Sequence, residues 1–272
     1  MAIHETYSNV EFPVITTDKN RTRDSWRVTR GLLSIALGAC MVTAGCGGDD
    51  HALRVFAASS MTDFMGEILA GDNEGSVAHS AELNLAGSGT LLLQIDEGAR
   101  ADLVVLAGSD HMKHLMKSGD FLPPTEFAIT YLSVIVSPTL KGQRLSVHDL
   151  WSEGFQGAMC IVSAPCGELA MKFGNSLSLD MKGLSREPNV RAVLAKVERG
   201  DVDFGLVYET DFLASRAGVG EIPGSEASNF STAYSFAISK DAKAAARVKT
   251  LVDSITGEAG RRALSELGFK QP

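Results

Sequence analysis

Beyond residue 45, this 272-residue chain has no excess of basic over acidic residues. Residues 1–45 hold five basic and four acidic side chains, and the whole chain has a net charge of −8, so the remainder carries −9. Proteins that bind nucleic acid need a basic surface, so the composition argues against a nucleic-acid partner. The same acidic field would repel an anionic ligand, so any anion site would have to depend on local dipoles.

The chain also lacks an apolar run of full transmembrane length. The uncharged stretch from Gly31 to Gly48 has an apolar part that falls short of the ~20 residues needed to cross hydrocarbon. It follows Arg27 and Arg30 and is rich in small residues, which is the layout of a signal peptide. We therefore expect residues 1–45 to be a signal peptide with a long n-region, with a permanent transmembrane helix as the alternative.

The end of this stretch resembles a bacterial lipobox. Ala44-Gly45-Cys46 is followed by Gly-Gly-Asp-Asp, so Cys46 is the expected lipid anchor and residues 46–52 are the anchor and its tether. Leu37-Gly38-Ala39-Cys40 makes Cys40 the alternative anchor. A diacylated cysteine would hold the protein stably on the outer face of the cytoplasmic membrane, whereas a single acyl chain binds membranes only marginally.

Cysteine is scarce, and no pair has the Cys-x-x-Cys spacing of redox motifs. Cys160 and Cys166 lie six residues apart in a segment expected outside the cytoplasm, which favours a disulfide between them. Two buried free thiols are the alternative. A metal site is disfavoured because no His or further Cys lies nearby.

Short apolar strands alternate with helical patterns after the tether. Strands are predicted at 53–57, 83–86, 101–106, 132–136, 157–162, 204–208 and 234–238, and helices follow most of them, including 190–199 and two within 241–267. One helix is expected to begin at Glu168. This alternation favours a parallel sheet in an α/β fold.

Several predicted turns between strand and helix carry Ser, Gly or Thr and almost no Lys or Arg. Free N–H groups at a helix start, with the helix dipole behind them, can bind an anion without a cationic side chain. Ser60 and Ser88 would each add a hydroxyl donor. The alternative is that both serines are ordinary helix N-caps. The turns fall at the carboxyl ends of strands, where open α/β sheets bind ligands.

A set of motifs resembles the periplasmic molybdate-binding proteins of ABC transporters, and the cysteine pair with the lipobox resembles actinobacterial members. The motifs keep their order over about residues 53–271 and lie at 55–61, 86–91, 94–103, 164–167, 189–191, 197–200, 204–211 and 260–269. The resemblance implies a two-lobed type II periplasmic-binding-protein fold of the α/β class. Each lobe would be a mostly parallel sheet flanked by helices, with the ligand in the cleft.

The resemblance also implies the lobes and the ligand-binding residues. Residues 53–130 with 239–272 would form lobe 1, and 131–238 would form lobe 2. Ser60 and Ser88 would each donate a hydroxyl and a backbone N–H. Cys166 and Val190 would donate backbone N–H groups, and Tyr208 its phenolic hydroxyl. A site made only of donors suits a fully deprotonated dianion.

The implied function is binding and not catalysis: a monomer that captures molybdate or tungstate and delivers it to an ABC permease in the cytoplasmic membrane. No cofactor is expected, and no metal beyond the molybdenum or tungsten of the oxyanion. The alternatives are a protein of the same fold for sulfate, phosphate or a metal chelate, and an exported serine hydrolase. The hydrolase is disfavoured because Ser88 does not lie in a Gly-x-Ser-x-Gly motif and has no assignable base.

Two further sets of polar residues are expected to lie outside the site. Asp211 would repel an anion and is predicted to be an N-cap or a surface carboxylate. His111 and His114 have a spacing that could suggest a metal site, but with lysines beside them they are predicted to lie on a solvated helix face.

Overall fold

Strands and helices alternate in the computed structural model, which describes residues 52–71, 81–152 and 154–272. The strands are β1 (Leu53–Ala58), β2 (Ala81–Ala86), β3 (Leu103–Ala107), β4 (Thr125–Val136), β5 (Gly157–Cys160), β6 (Ser185–Glu187), β7 (Phe204–Tyr208), β8 (Gly220–Glu221) and β9 (Ser231–Ile238). The helices are α1 (Thr62–Ala70), α2 (Ser88–Asp96), α3 (Ser109–Met116), α4 (Val147–Ser152), α5 (Pro165–Ser176), α6 (Val190–Arg199), α7 (Glu209–Ala214), α8 (Ala245–Thr256) and α9 (Glu258–Glu266). The predicted α/β alternation is confirmed.

The predicted signal peptide, Cys40 and Cys46 lie outside the described residues, so these assignments remain predictions. Among the residues that are described, no helix is both long enough and apolar enough to cross a membrane.

The first core region is a largely parallel sheet covered by helices on both faces. β1 lies between β2 and β3 and runs parallel to both, while β9 pairs antiparallel with β3. Successive residues of β3 point to opposite faces, as strand geometry requires. Leu103 and Val105 pack with α1, α8 and α9, whereas Val104 and Leu106 pack with α2 and α3. Burial on both faces explains why β3 is apolar throughout.

The second core region repeats this plan on a smaller scale. β5 lies between β6 and β7 and is parallel to both, and β7 pairs antiparallel with the end of β4. Its core is formed with α4, α5 and α6, and Phe204 of β7 packs against Trp151 of α4 with ring centroids 4.7 Å apart. Val193, Leu194 and Val197 place one face of α6 in this core, in agreement with the predicted helical pattern.

β4 joins the two regions, because its residues contribute to both cores. Phe127 and Ala128 pack in the first core region, and Leu132 and Val134 pack in the second. The strand begins at Thr125, before the predicted start at Leu132, and its first half pairs with β9. The predicted limits of the two lobes remain a proposal. Tyr234 and Phe236 of β9 are buried in the first core region.

Leu206 provides a test of the second core. It is fully buried at the centre of β7, so Leu206→Ala should lower the free energy of unfolding by about 2–5 kcal/mol through lost packing and a residual cavity. Leu93 of α2 is 57% exposed, and Leu93→Ala should change stability by less than about 0.5 kcal/mol. Urea unfolding followed by circular dichroism measures both, and equal losses would contradict the described packing.

Candidate functional site

A small cavity lies where carboxyl ends of strands from both core regions meet. It is lined by Ala58, Ser59, Ser60, Gly87, Ser88 and Ala107 from the first region and by Ala164, Pro165, Cys166, Asn189, Val190 and Tyr208 from the second. All five predicted ligand-binding residues therefore come together. The cavity is far smaller than the pockets that hold drug-sized ligands, so it suits a ligand of a few heavy atoms.

A larger groove of about 720 Å³ lies elsewhere, near the amino ends of β1 and β3. Its central carboxylate, Asp102, already accepts the backbone N–H groups of Arg54 and Lys243 at 2.9 and 3.2 Å. Open α/β sheets bind ligands at the carboxyl ends of their strands. The smaller cavity is therefore the better candidate despite its size.

Neither of the two serines predicted to bind the ligand caps a helix. Gly87 is the N-cap of α2, so Ser88 is already the first helical residue, and Ser60 lies inside a 3-10 turn, Ser59–Met61, that precedes α1. No side-chain capping bond is present at either start, which excludes the alternative that the serines are N-caps.

The hydroxyl oxygens of Ser60 and Ser88 each already accept a hydrogen bond from another residue of the protein. The Ala107 N–H donates to Ser88 Oγ at 3.0 Å, and the Tyr234 hydroxyl donates to Ser60 Oγ at 2.8 Å. A hydroxyl whose oxygen accepts in this way keeps its own hydrogen for another partner. Tyr234 was not predicted as a site residue; the sequence marked it only as part of a return strand.

The start of α5 is fixed by a disulfide between Cys160 and Cys166, which confirms the predicted pairing. β5 ends at Cys160 and not at Val162, and α5 begins at Pro165 and not at Glu168. Proline is favoured at the first helical position because its missing N–H would have no partner there. Cys166 thereby falls in the first turn, where a backbone N–H has no acceptor within the helix.

Gly167 allows the loop before α5 to close tightly. A Cβ atom at this position would overlap the carbonyl oxygen of Ile161, so only glycine fits. The turn that presents Cys166 is therefore held by the disulfide and by close backbone packing together.

The start of α6 is capped by Asn189, whose side chain accepts the Ala192 N–H at 3.0 Å. The cap leaves the N–H of Val190, the first helical residue, without an acceptor in its own helix. Sequence reasoning missed Asn189 as a site residue, although an Asn directly before a helical pattern is a recognised N-cap signal.

Tyr208 ends β7 and is almost completely buried. Burial raises the pKa of its phenol well above 10, and the neighbouring Tyr234 and Asp211 raise it further. Tyr208 therefore keeps its hydrogen at neutral pH and can act as a donor. None of the residues that line the cavity, all of which are described, has a charged side chain.

Asp211 is fully buried within the first turn of α7, whose N-cap is Tyr208, so the prediction of an N-cap or a surface carboxylate is wrong. Its Oδ1 lies 2.6 Å from Nε of Arg191, in an ion pair whose angles are not those of a hydrogen bond. Burial raises the Asp211 pKa to about 7; the Arg191 charge lowers it and the Asp63 carboxylate raises it. No pattern in the sequence predicted this pair.

The two histidines of α3 differ in their surroundings. His114 is exposed and pairs with Asp96 at 3.0 Å, as predicted for a solvated face. His111 is only partly exposed, and its Nε2 lies 2.9 Å from the carbonyl oxygen of Ser163 in the loop after β5, so the predicted solvated face holds only in part for this residue. Among the described residues, no group of three or more His, Cys, Asp or Glu could hold a metal ion.

Comparison with known proteins gives the family. The model of the family described as bacterial extracellular solute-binding protein matches residues 53–270, which include the whole cavity. The chain belongs to this family. This solute-binding protein is 29% identical over 256 residues to the molybdate-binding protein ModA of Mycobacterium tuberculosis H37Rv, covering 88% of this chain and 98% of the relative.

A second relative comes from Bacillus subtilis. The protein YvgL, described as a candidate ABC transporter substrate-binding lipoprotein, is 28% identical over 248 residues, covering 86% of the solute-binding protein and 95% of the relative.

Solved structures confirm the predicted two-lobed type II periplasmic-binding-protein fold. The periplasmic molybdate-binding protein of Azotobacter vinelandii has a TM-score of 0.70 at 17% identity, covering 81% of this chain and 99% of that chain. The sulfate-binding protein SubI of Mycobacterium tuberculosis has a TM-score of 0.65 at 12% identity, covering 81% and 87%. These likenesses concern the fold, which is shared by proteins for different oxyanions.

The raised pKa of Asp211 should make the stability of the solute-binding protein depend on pH. The folded-state pKa of about 7 exceeds the ordinary value of 3.8, so between these values the folded state binds a proton that the unfolded state releases. The contribution of this group to stability therefore falls as pH rises. Relative to Asp211→Asn, the wild-type free energy of unfolding should fall as the pH rises from about 4 to 7 and level off above pH 7. Urea unfolding at several pH values measures it, and a difference that does not change with pH would contradict it.

Proposed function

We propose that this solute-binding protein captures molybdate or tungstate outside the cytoplasmic membrane and delivers it to an ABC importer. The observation that carries the proposal is the cavity itself, where uncharged donors from both core regions surround a space for a few heavy atoms. The relatives from M. tuberculosis and A. vinelandii, both named as molybdate-binding proteins, support the same ligand class.

Five residues are proposed to hold the oxyanion. Ser60 and Ser88 would donate their hydroxyls and backbone N–H groups, Cys166 and Val190 their N–H groups, and Tyr208 its phenolic hydroxyl. α2, α5 and α6 each begin at the cavity, and helix starts favour negative charge. Tetrahedral dianions accept hydrogen bonds and offer none, so this set of donors fits them.

Sulfate and phosphate are the competing ligands. Hydrogen phosphate keeps a hydrogen that needs an acceptor, and the side chains proposed to meet the ligand are arranged as donors, which disfavours it. Sulfate offers the same chemistry as molybdate but is smaller, so cavity size decides between them. Hydrolysis by Ser88 is disfavoured because no His, Asp or Glu is among the lining residues.

Ligand binding would close the two lobes by a hinge motion. The first lobe, 53–130 with 239–272, would supply the serines, and the second, 131–238, would supply the other three donors. A ligand that bonds to both lobes favours the closed state, which the permease would then recognise.

We further propose that the protein works as a lipid-anchored monomer. Cys46, or Cys40 as the alternative, would carry the acyl chains on the outer face of the cytoplasmic membrane, and residues 46–52 would form the tether. The description of the B. subtilis relative as a candidate lipoprotein supports this arrangement.

Calorimetric titration with an oxyanion panel tests the function. Molybdate and tungstate should bind tightly and sulfate far more weakly, whereas equal affinity for sulfate would contradict the proposal.

Ser88→Ala should weaken molybdate binding by about 1–3 kcal/mol through the lost hydrogen bond to a charged group. Ser109 is the matched control, since it is also the first residue of its helix but lies outside the cavity, and Ser109→Ala should leave the affinity unchanged.

A further inference from the structure

Three ionisable side chains form a chain of contacts close to the cavity. Arg191 of α6 bonds to Asp63 of α1 through Nη2, and its Nε lies 2.6 Å from Asp211 of α7. α1 packs in the first core region through Phe64, whereas α6 packs in the second. The contact between Arg191 and Asp63 therefore joins the two regions.

The same three residues follow residues that line the cavity. Asp63 comes three positions after Ser60, Arg191 directly follows Val190, and Asp211 comes three positions after Tyr208. α6 also packs against the 3-10 turn that carries Ser60. A contact between Arg191 and Asp63 thus fixes the separation between donors of the first region and donors of the second.

The pair of Arg191 and Asp63 differs from an ordinary surface ion pair because its arginine is already held in place by a buried carboxyl group. Asp211 is fully buried, the side chain of Arg191 is 26% exposed and that of Asp63 is 43% exposed. Exposed pairs contribute little, partly because two long side chains must be immobilised. Arg191 is already held by Asp211 within the second region, so pairing with Asp63 costs little further conformational freedom.

We infer that Arg191 is a positioning residue that stabilises the closed state of the solute-binding protein by bonding to Asp63 across the cleft. This inference rests on the proposed function and deepens it. Arg191 does not contact the ligand; it raises the fraction of molecules whose donors are already in place. Apparent affinity scales with that fraction, and the bound state opens more slowly when the pair is intact.

Asp63→Asn in the full chain tests the inference. The dissociation constant for molybdate should rise about three- to tenfold, mainly through faster dissociation in stopped-flow measurements, with an unchanged urea midpoint. Asp110→Asn is the matched control, because Asp110 is also the second residue of a first-region helix and pairs with Lys113 on that helix. It should leave binding unchanged.

Wild-type binding by Asp63→Asn would overturn the inference, and so would an equal loss in Asp110→Asn. If the wild-type protein binds no oxyanion, the proposed function fails. Small-angle scattering of the ligand-free proteins then tests the pairing of Arg191 with Asp63 separately. A larger radius of gyration in Asp63→Asn than in wild type and Asp110→Asn would support the pairing across the cleft. Equal radii would contradict it.

Discussion

The availability of donors is the constraint on which the candidate site depends. An acidic protein without charged side chains in its cavity can hold a dianion only if the lining groups turn their hydrogens toward it. The oxygens of Ser60 and Ser88 accept hydrogen bonds from the Tyr234 hydroxyl and the Ala107 N–H, which leaves the serine hydrogens available. Helix starts do so for the backbone, because the N–H groups of a first turn have no acceptor in their own helix.

The fold brings these donors together because strands from both core regions end at one place. β1, β2 and β3 present Ala58, Gly87 and Ala107 at one wall, while the loop after β5 and the end of β7 present Pro165 and Tyr208 at the other. The disulfide and Gly167 shape that loop, and Asn189 caps α6 so that its first N–H stays available. The donors at the cavity are therefore uncharged hydroxyls and backbone N–H groups that the fold brings to one place.

Local patterns in the sequence predicted most elements, and long-range contacts could not be predicted. α6 and β7 match their expected limits, because helical periodicity and a short apolar run define them. β5 ends early and α5 starts early, because the disulfide and Pro165 override the apolar pattern at 161–162. The bonds from Tyr234 to Ser60 and from Arg191 to Asp63 join residues 174 and 128 positions apart, which only the fold brings together.

The most direct measurement is a crystal structure of the molybdate complex with anomalous data collected at the molybdenum edge. The account predicts one strong anomalous peak in the cavity, within hydrogen-bond distance of the Ser60, Ser88 and Tyr208 hydroxyls and of the Cys166 and Val190 N–H groups. No cationic side chain should contact the anion. A peak elsewhere, or an anion held by Arg or Lys, would contradict the account.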